Sequence, residues 1–261
     1  MKRLATVVLW AAAQAAAAPP TYVPVPAGTL TSVLARDADG GPAAIPAFEM
    51  RETPVTVADW QRFVRAHPEW RRGQVARAFA DEGYLEHWRS DADPPPGAQP
   101  SQPVTEVSWF AAQAYCETEG ARLPSWPEWE YVAAADAGRR DARADPAWRA
   151  RILAWYGRPA TQAPPSVGGE PNAYGVRDLH GLVWEWVDDF NALLINPDSR
   201  SADDPDKLQF CGAGAIDLQD RQNYAVLMRV ALLSSLQAPQ STSSLGLRCV
   251  RPQPPLLKEI P

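Results

Sequence analysis

The chain has 261 residues and a formal net charge of −6 at pH 7, enough length for one sizeable hydrophobic core. It carries no basic cluster with interleaved aromatics, which excludes a nucleic-acid surface; the acidity serves solubility. Twenty-seven prolines and eleven tryptophans point to a loop-rich domain whose irregular backbone is pinned by large aromatic side chains.

The first 18 residues have the layout of a cleaved export signal. Lys2 and Arg3 give a positive start, Leu4 to Ala17 form an apolar stretch, and Ala16-Ala17-Ala18 offers small residues for cleavage. The stretch is short, alanine-rich and followed at once by Pro19-Pro20, unlike a membrane anchor. Residues 19–261 then form a single exported domain in the periplasm. Loss of Lys2 and Arg3 takes its charge from −6 to −8, and nothing later in the chain is apolar enough to span a bilayer.

Tyr22 to Leu30 reads as an edge strand, because each proline in it removes a ladder donor. Ala44 to Met50 is a second short strand. Thr56 to His67 opens on a Thr cap, places Val57, Trp60, Phe63 and Val64 at helical spacing, and stops before Pro68. Residues 69–103 carry no period and include Asp93-Pro-Pro-Pro-Gly97; they read as a surface loop or insertion. Ser108 caps a helix that Gly120 ends. Ser125 and Glu128 form a capping box for another, with Pro127 in the first turn. Arg139 to Arg151 is a solvated helix or loop. After Gly157 the chain alternates short strand-like runs with turn residues. No Gly-rich phosphate loop, hydrolase elbow or zinc spacing occurs.

Tyr174-Gly-Val-Arg-Asp-Leu-His-Gly-Leu-Val-Trp-Glu-Trp186 and Leu245-Gly-Leu-Arg-Cys249 are the most distinctive segments. In order with them stand Val25-Pro-Ala-Gly-Thr29, Thr53-Pro-Val-Thr56, Pro103-Val-Thr-Glu-Val-Ser-Trp109, Ala114-Tyr-Cys116, Arg122-Leu-Pro124, Glu128-Trp-Glu-Tyr131 and Ser234-Ser235. The set resembles the formylglycine-generating (sulfatase-modifying) enzyme family over nearly the whole mature chain. The resemblance implies an α+β fold related to C-type lectins, with little regular secondary structure. Its enzymes bind Cu(I) through two cysteines spaced C-x4-C and use O2 to convert a substrate cysteine to formylglycine. Those positions fall at Asp220 and Ala225, and no cysteine lies between Gly212 and Arg248. A linear Cu(I) site needs two soft thiolates, so this chemistry has no ligands here.

The same resemblance implies a disulfide between Cys116 and Cys249, two buried free thiols being the alternative. It implies a calcium site from the side chains of Asp178 and Glu185 and the carbonyls of Gly181 and Val183; oxygen donors suit Ca2+, although a surface loop can hold both acids without a metal. Cys211 is then the unpaired cysteine, in Phe210-Cys-Gly-Ala-Gly-Ala215. It is either a small buried residue or a redox or copper ligand recruiting Met228, Met50 or His180. His180 is expected to pack or to cap a turn, and His87 to serve a partner surface. The iron motif H-x3-H-x-E of the sulfoxide synthases that share this domain is absent.

Phe79-Ala-Asp-Glu-Gly-Tyr-Leu85, Asp178 to Asp189 and Cys211-Gly-Ala-Gly-Ala215 further resemble a cysteine-poor exported subgroup described as nitrite-reductase accessory proteins. That implies a role in copper-enzyme maturation. The expected function is a non-catalytic binding or accessory protein for a peptide or periplasmic partner, such as a copper protein. A copper chaperone or oxidoreductase built on Cys211 is the alternative, and a formylglycine-generating oxidase comes last.

Overall fold

The computed structural model describes residues 19–32, 41–158, 163–191 and 224–253. Proline decides how its strands are cut. The stretch expected as one edge strand divides around Pro26 into β1 (Tyr22–Val25) and β2 (Gly28–Leu30). The second expected strand divides at Pro46 into β3 (Ala43–Ile45) and β4 (Phe48–Arg51). β1 and β4 then pair in one antiparallel sheet, and β2 and β3 in another. β7 (Val250–Pro252) completes the first sheet in the order β1-β4-β7, leaving Pro24 on an edge strand, where a missing donor costs no ladder bond.

The helices begin where their caps dictate. Thr56 and Asp59 close a capping box on α1 (Val57–Ala66), whose Val57, Trp60, Phe63 and Val64 face the core as their spacing requires. A 3-10 turn at Pro68–Trp70 follows. Ser108 caps α2 (Trp109–Thr118), and Gly120 follows it with φ of 64°. Ser125 and Glu128 box the start of α3 (Trp126–Ala133). The charged stretch becomes a helix later than expected: Asp145 caps α4 (Pro146–Tyr156), with Trp148 and Ile152 turned inward.

After Gly157 the expected alternation of strands is only partly present. β5 (Trp184–Glu185) and β6 (Leu245–Gly246) are two residues each and pair in parallel. Between them Tyr224–Ser234 is a helix, α5. Its sequence is apolar almost throughout with no clear period, which reads equally as strand or helix when only sequence is considered.

One apolar core joins β4, α1, α2, α3 and the segments around Trp186 and Leu247. Residues 69–103 form turns, yet Tyr84, Leu85 and Trp88 are buried in that core. The Leu85 N–H bonds the Glu106 carbonyl and the Tyr84 hydroxyl bonds the Trp70 carbonyl. The segment is therefore not the purely superficial insertion its composition implies. Its His87, mostly exposed, lies against the Glu106 carboxylate. Cys116 of α2 and Cys249, next to β7, form a disulfide across 133 residues of chain; closing so long a loop is worth about 4–5 kcal/mol in the chain-entropy description.

Candidate functional site

The two most distinctive sequence segments meet in space. Parallel pairing sets Trp184 opposite Leu245 and Glu185 opposite Gly246. A side chain on Gly246 would lie 2.5 Å from the Val104 carbonyl oxygen, so the close strand packing requires glycine there. Glu185 then reaches Arg248. The guanidinium donates from Nε and NH2 to the two carboxylate oxygens, each at 2.8 Å, with both side chains fully buried. Trp129 Nε1 adds a third bond to the carboxylate at 2.7 Å. Arg248 spends its remaining donors on the Arg177, Arg51 and Glu52 carbonyls. Every hydrogen-bonding group of the pair is satisfied, the condition under which a buried ion pair is tolerated.

Trp186 continues inward and donates to the Val107 carbonyl at 2.9 Å. Trp184 turns the other way, stacking on Tyr156 of α4 at 4.6 Å between centroids. α4 and the start of α5 thus close over the signature. Ala225 packs against the cluster of Ala142, Trp148 and Ile152, and its carbonyl accepts from the Tyr156 hydroxyl at 3.2 Å. Burial pushes that phenol up to about 12.

Below Ala225 is a cavity of about 30 Å³ whose walls include Trp129, Glu130, His180 and Arg229. Arg229 is buried, its guanidinium 3.5 Å from the centre of the Trp129 ring, with NH2 donating to the Glu185 carbonyl. Burial lowers its pKa to about 10. His180 donates from Nε2 to the Ala133 carbonyl at 3.0 Å and is ringed edge-to-face by Trp129, Trp148 and Trp155. Burial lowers it to about 4; the Ala133 bond opposes this, and the charges of Arg229 and Arg248 add to it. Glu130 is raised by burial, against its bonds from Ser32 and Trp126.

Trp148 and His180 also line the neighbouring, larger groove of about 670 Å³. Its walls are α4 on one side and the 135–139 and 170–181 segments on the other. Arg151 and Arg158 line it with no ion pair among the described residues. Asp136 and Asp178 in the same walls are engaged locally, Asp136 by Arg139 and Asp178 by the Gly168 and Gly169 N–H groups. The lining of the groove includes Trp148, Trp155 and the Arg151 and Arg158 guanidinium groups.

The expected calcium donors do not fit a cation as they stand. The Glu185 carboxylate is covered by the Arg248 guanidinium and the Trp129 N–H, and Asp178 accepts from the 168–169 turn. Among the described residues no group of three or more His, Cys, Asp or Glu is placed to hold a metal. Gly181, at φ of 112°, and Val183 belong to the turn that delivers Trp184 to β5. Cys211 and Asp220 lie outside the described residues. Of the side chains expected to join Cys211, Met50 is fully buried in β4, Met228 is exposed on α5, and His180 is enclosed by tryptophans. Sequence reasoning missed Arg229 and Glu130. Arg229 follows Ala225 by four residues, one helical turn, but that signal exists only once the segment is known to be helical.

Short strands, capped helices and a loop-rich core stitched by a buried Glu–Arg pair define a mixed α+β domain. CarF, a solved structure 19% identical, shares this fold with a TM-score of 0.51 over 90% of this chain and 99% of its own. Residues 10–253 match the family described as Sulfatase-modifying factor enzyme 1-like domain; the chain belongs to that formylglycine-generating enzyme-like family. The formylglycine-generating enzyme of Streptomyces coelicolor is 33% identical over 188 residues, covering 62% of this chain and 57% of that protein. The inactive C-alpha-formylglycine-generating enzyme 2 of Bos taurus is 30% identical over 194 residues, 67% of this chain and 56% of that one. The chain thus spans little more than half the length of either relative.

Proposed function

We propose that this protein is a binding or accessory member of the family that holds a peptide segment of a partner protein in the α4 groove and does not oxidise it. One observation carries the reading. Ala225, at a position the family resemblance assigns to a thiolate, packs against the apolar cluster of Ala142, Trp148 and Ile152, with no side-chain atom able to bind Cu(I). A family containing proteins named inactive supports it. The groove supports it too, since the half-buried Trp155 ring beside Arg151 and Arg158, which have no ion pair among the described residues, suits an extended peptide with apolar and acidic side chains. The compartment we propose is the periplasm and the process copper-enzyme maturation; the support is the export-signal layout of residues 1–18 and the narrower resemblance of the 79–85 and 178–189 segments.

A photo-crosslinking residue placed at Arg151 or Trp155 in cells should yield a discrete adduct, and one at exposed Arg77, outside the groove, should not. The same adduct from all three positions would reject the groove. Purified protein incubated with Cu(I), O2 and a Cys-x-Pro-x-Arg peptide should leave the peptide mass unchanged; appearance of formylglycine would reject the non-catalytic reading.

A further inference from the structure

Glu106 is held in a backbone conformation that ordinary residues avoid. Its φ is 61°, in the left-handed region, where a non-glycine residue is uncommon and strained unless its surroundings hold it. Here they do: its N–H donates to the Thr242 carbonyl, and its carbonyl accepts from the Leu85 N–H. The turn delivers the carboxylate to His87. One oxygen accepts from the His87 backbone N–H at 3.1 Å, and the other contacts ring Nδ1. That contact places the hydrogen on Nδ1 and leaves a lone pair on Nε2. The imidazole side chain is 68% exposed and the carboxylate side chain still 10%, so both groups reach open space.

That space is a pocket of about 380 Å³ lined by both residues, a size within the range of small-ligand sites. Val57, Trp88, Pro95, Pro96 and Val104 give it an apolar lining. Glu106 and His87 are its ionisable groups, and no Lys or Arg lines it among the described residues. The pocket shares no lining residue with the α4 groove. An apolar enclosure therefore carries, at one place, a carboxylate and an imidazole nitrogen that both accept hydrogen bonds, with no basic side chain beside them.

We infer that this pocket binds a small primary amine with a ring-sized apolar body, its ammonium group held by the Glu106 carboxylate and His87 Nε2. An ammonium brings three donors and no acceptor, which matches a wall that offers acceptors under a negative charge. The two bonds from His87 leave further lone-pair sites on the carboxylate oxygens. A ligand carboxylate would meet the Glu106 charge with no arginine or lysine to offset it. The apolar body displaces water from the Trp88 and proline surfaces. His87 thus has a use that its exposure alone does not explain.

The test is proton–nitrogen correlation NMR of the full chain at constant pH and ionic strength, titrated with benzylamine, benzyl alcohol or benzoate. Benzylamine should shift the His87, Gly97 and Thr105 amides along one saturation curve with a Kd of about 1–10 mM, the range open to so small a ligand. Benzoate should leave them in place. Benzyl alcohol should bind about tenfold or more weakly, since it lacks the charge-assisted bond. The benzylamine response should weaken by about tenfold or more in Glu106→Gln, which keeps an acceptor oxygen for His87 but not the charge. It should vanish in Ala98→Trp, which fills the pocket, keeps both Glu106 and His87, and serves if the first variant does not fold. No shift with benzylamine in the unaltered protein overturns the inference. So does an equal response to benzyl alcohol or benzoate, or a response unchanged in either folded variant.

Discussion

Replacing Arg248 by methionine should be among the most damaging single changes in this protein. The substitution keeps an apolar stem of similar length but leaves the Glu185 carboxylate fully buried with the Trp129 N–H as its remaining donor and no paired cation, Arg229 acting on it only at longer range. It also strips a donor from the Arg177, Arg51 and Glu52 carbonyls. Breaking a buried pair from one side costs about 3–5 kcal/mol, because an uncompensated charge remains. At about 2–4 °C per kcal/mol for a domain near this size, Tm should fall by roughly 6–20 °C by calorimetry or circular dichroism at pH 7. Glu185→Met with Arg248→Met removes both charges, and the double variant should melt well above the Arg248→Met single. Recovery will be partial, since the three carbonyls still lack their donor. An Arg248→Met protein melting within about 2 °C of the parent would refute the buried-pair account. So would a double variant no more stable than the single.

His180 gives a pH dependence of definite sign. Its folded pKa of about 4 lies below the ordinary value of 6.5, so the unfolded chain takes up the proton first and stability falls as pH drops from about 6.5 to about 4, by up to about 3 kcal/mol. Tm recorded between pH 7.5 and 4.5 should fall more steeply in the parent than in His180→Gln, whose amide can still donate to the Ala133 carbonyl; parallel profiles would remove His180 as the cause. Calcium is expected to be without effect on folding, because the acids named for it are spent on Arg248 and the 168–169 turn. Equal Tm in millimolar CaCl2 and in EGTA is the expected result, and a calcium-dependent rise would return Asp178 and Glu185 to metal ligation.

The parts of the fold legible in the sequence are those governed by short-range chemistry. Thr56 with Asp59, Ser108, and Ser125 with Glu128 mark helix starts because each cap completes within three residues. Pro24 marked an edge strand for the same reason. The errors come where a local pattern serves two outcomes. Pro26 and Pro46 were each read inside one continuous strand, yet both are breaks, and the partition of the resulting pieces between two sheets depends on pairing across the molecule. α5 was hidden because an evenly apolar segment has no period to declare it a helix. Glu185 was legible as an acid in a distinctive segment, and calcium was the ligand the family resemblance implied for it. Its partner, Arg248, lies 63 residues away.

From the sequence came the family resemblance, the Cys116–Cys249 pairing which that resemblance implied and the structure shows, and the lack of cysteines at Asp220 and Ala225. Residue identity suffices for the last: a thiolate site cannot exist without sulfur. Only the tertiary structure decided what each buried charge faces. It set Arg248 on Glu185 and left Arg229 on the Trp129 ring beside a small cavity. The cost of burying an ion is fixed by what stands within a few ångströms of it in the folded state, and residues brought that close by β5–β6 pairing and the packing of α5 are far apart along the chain.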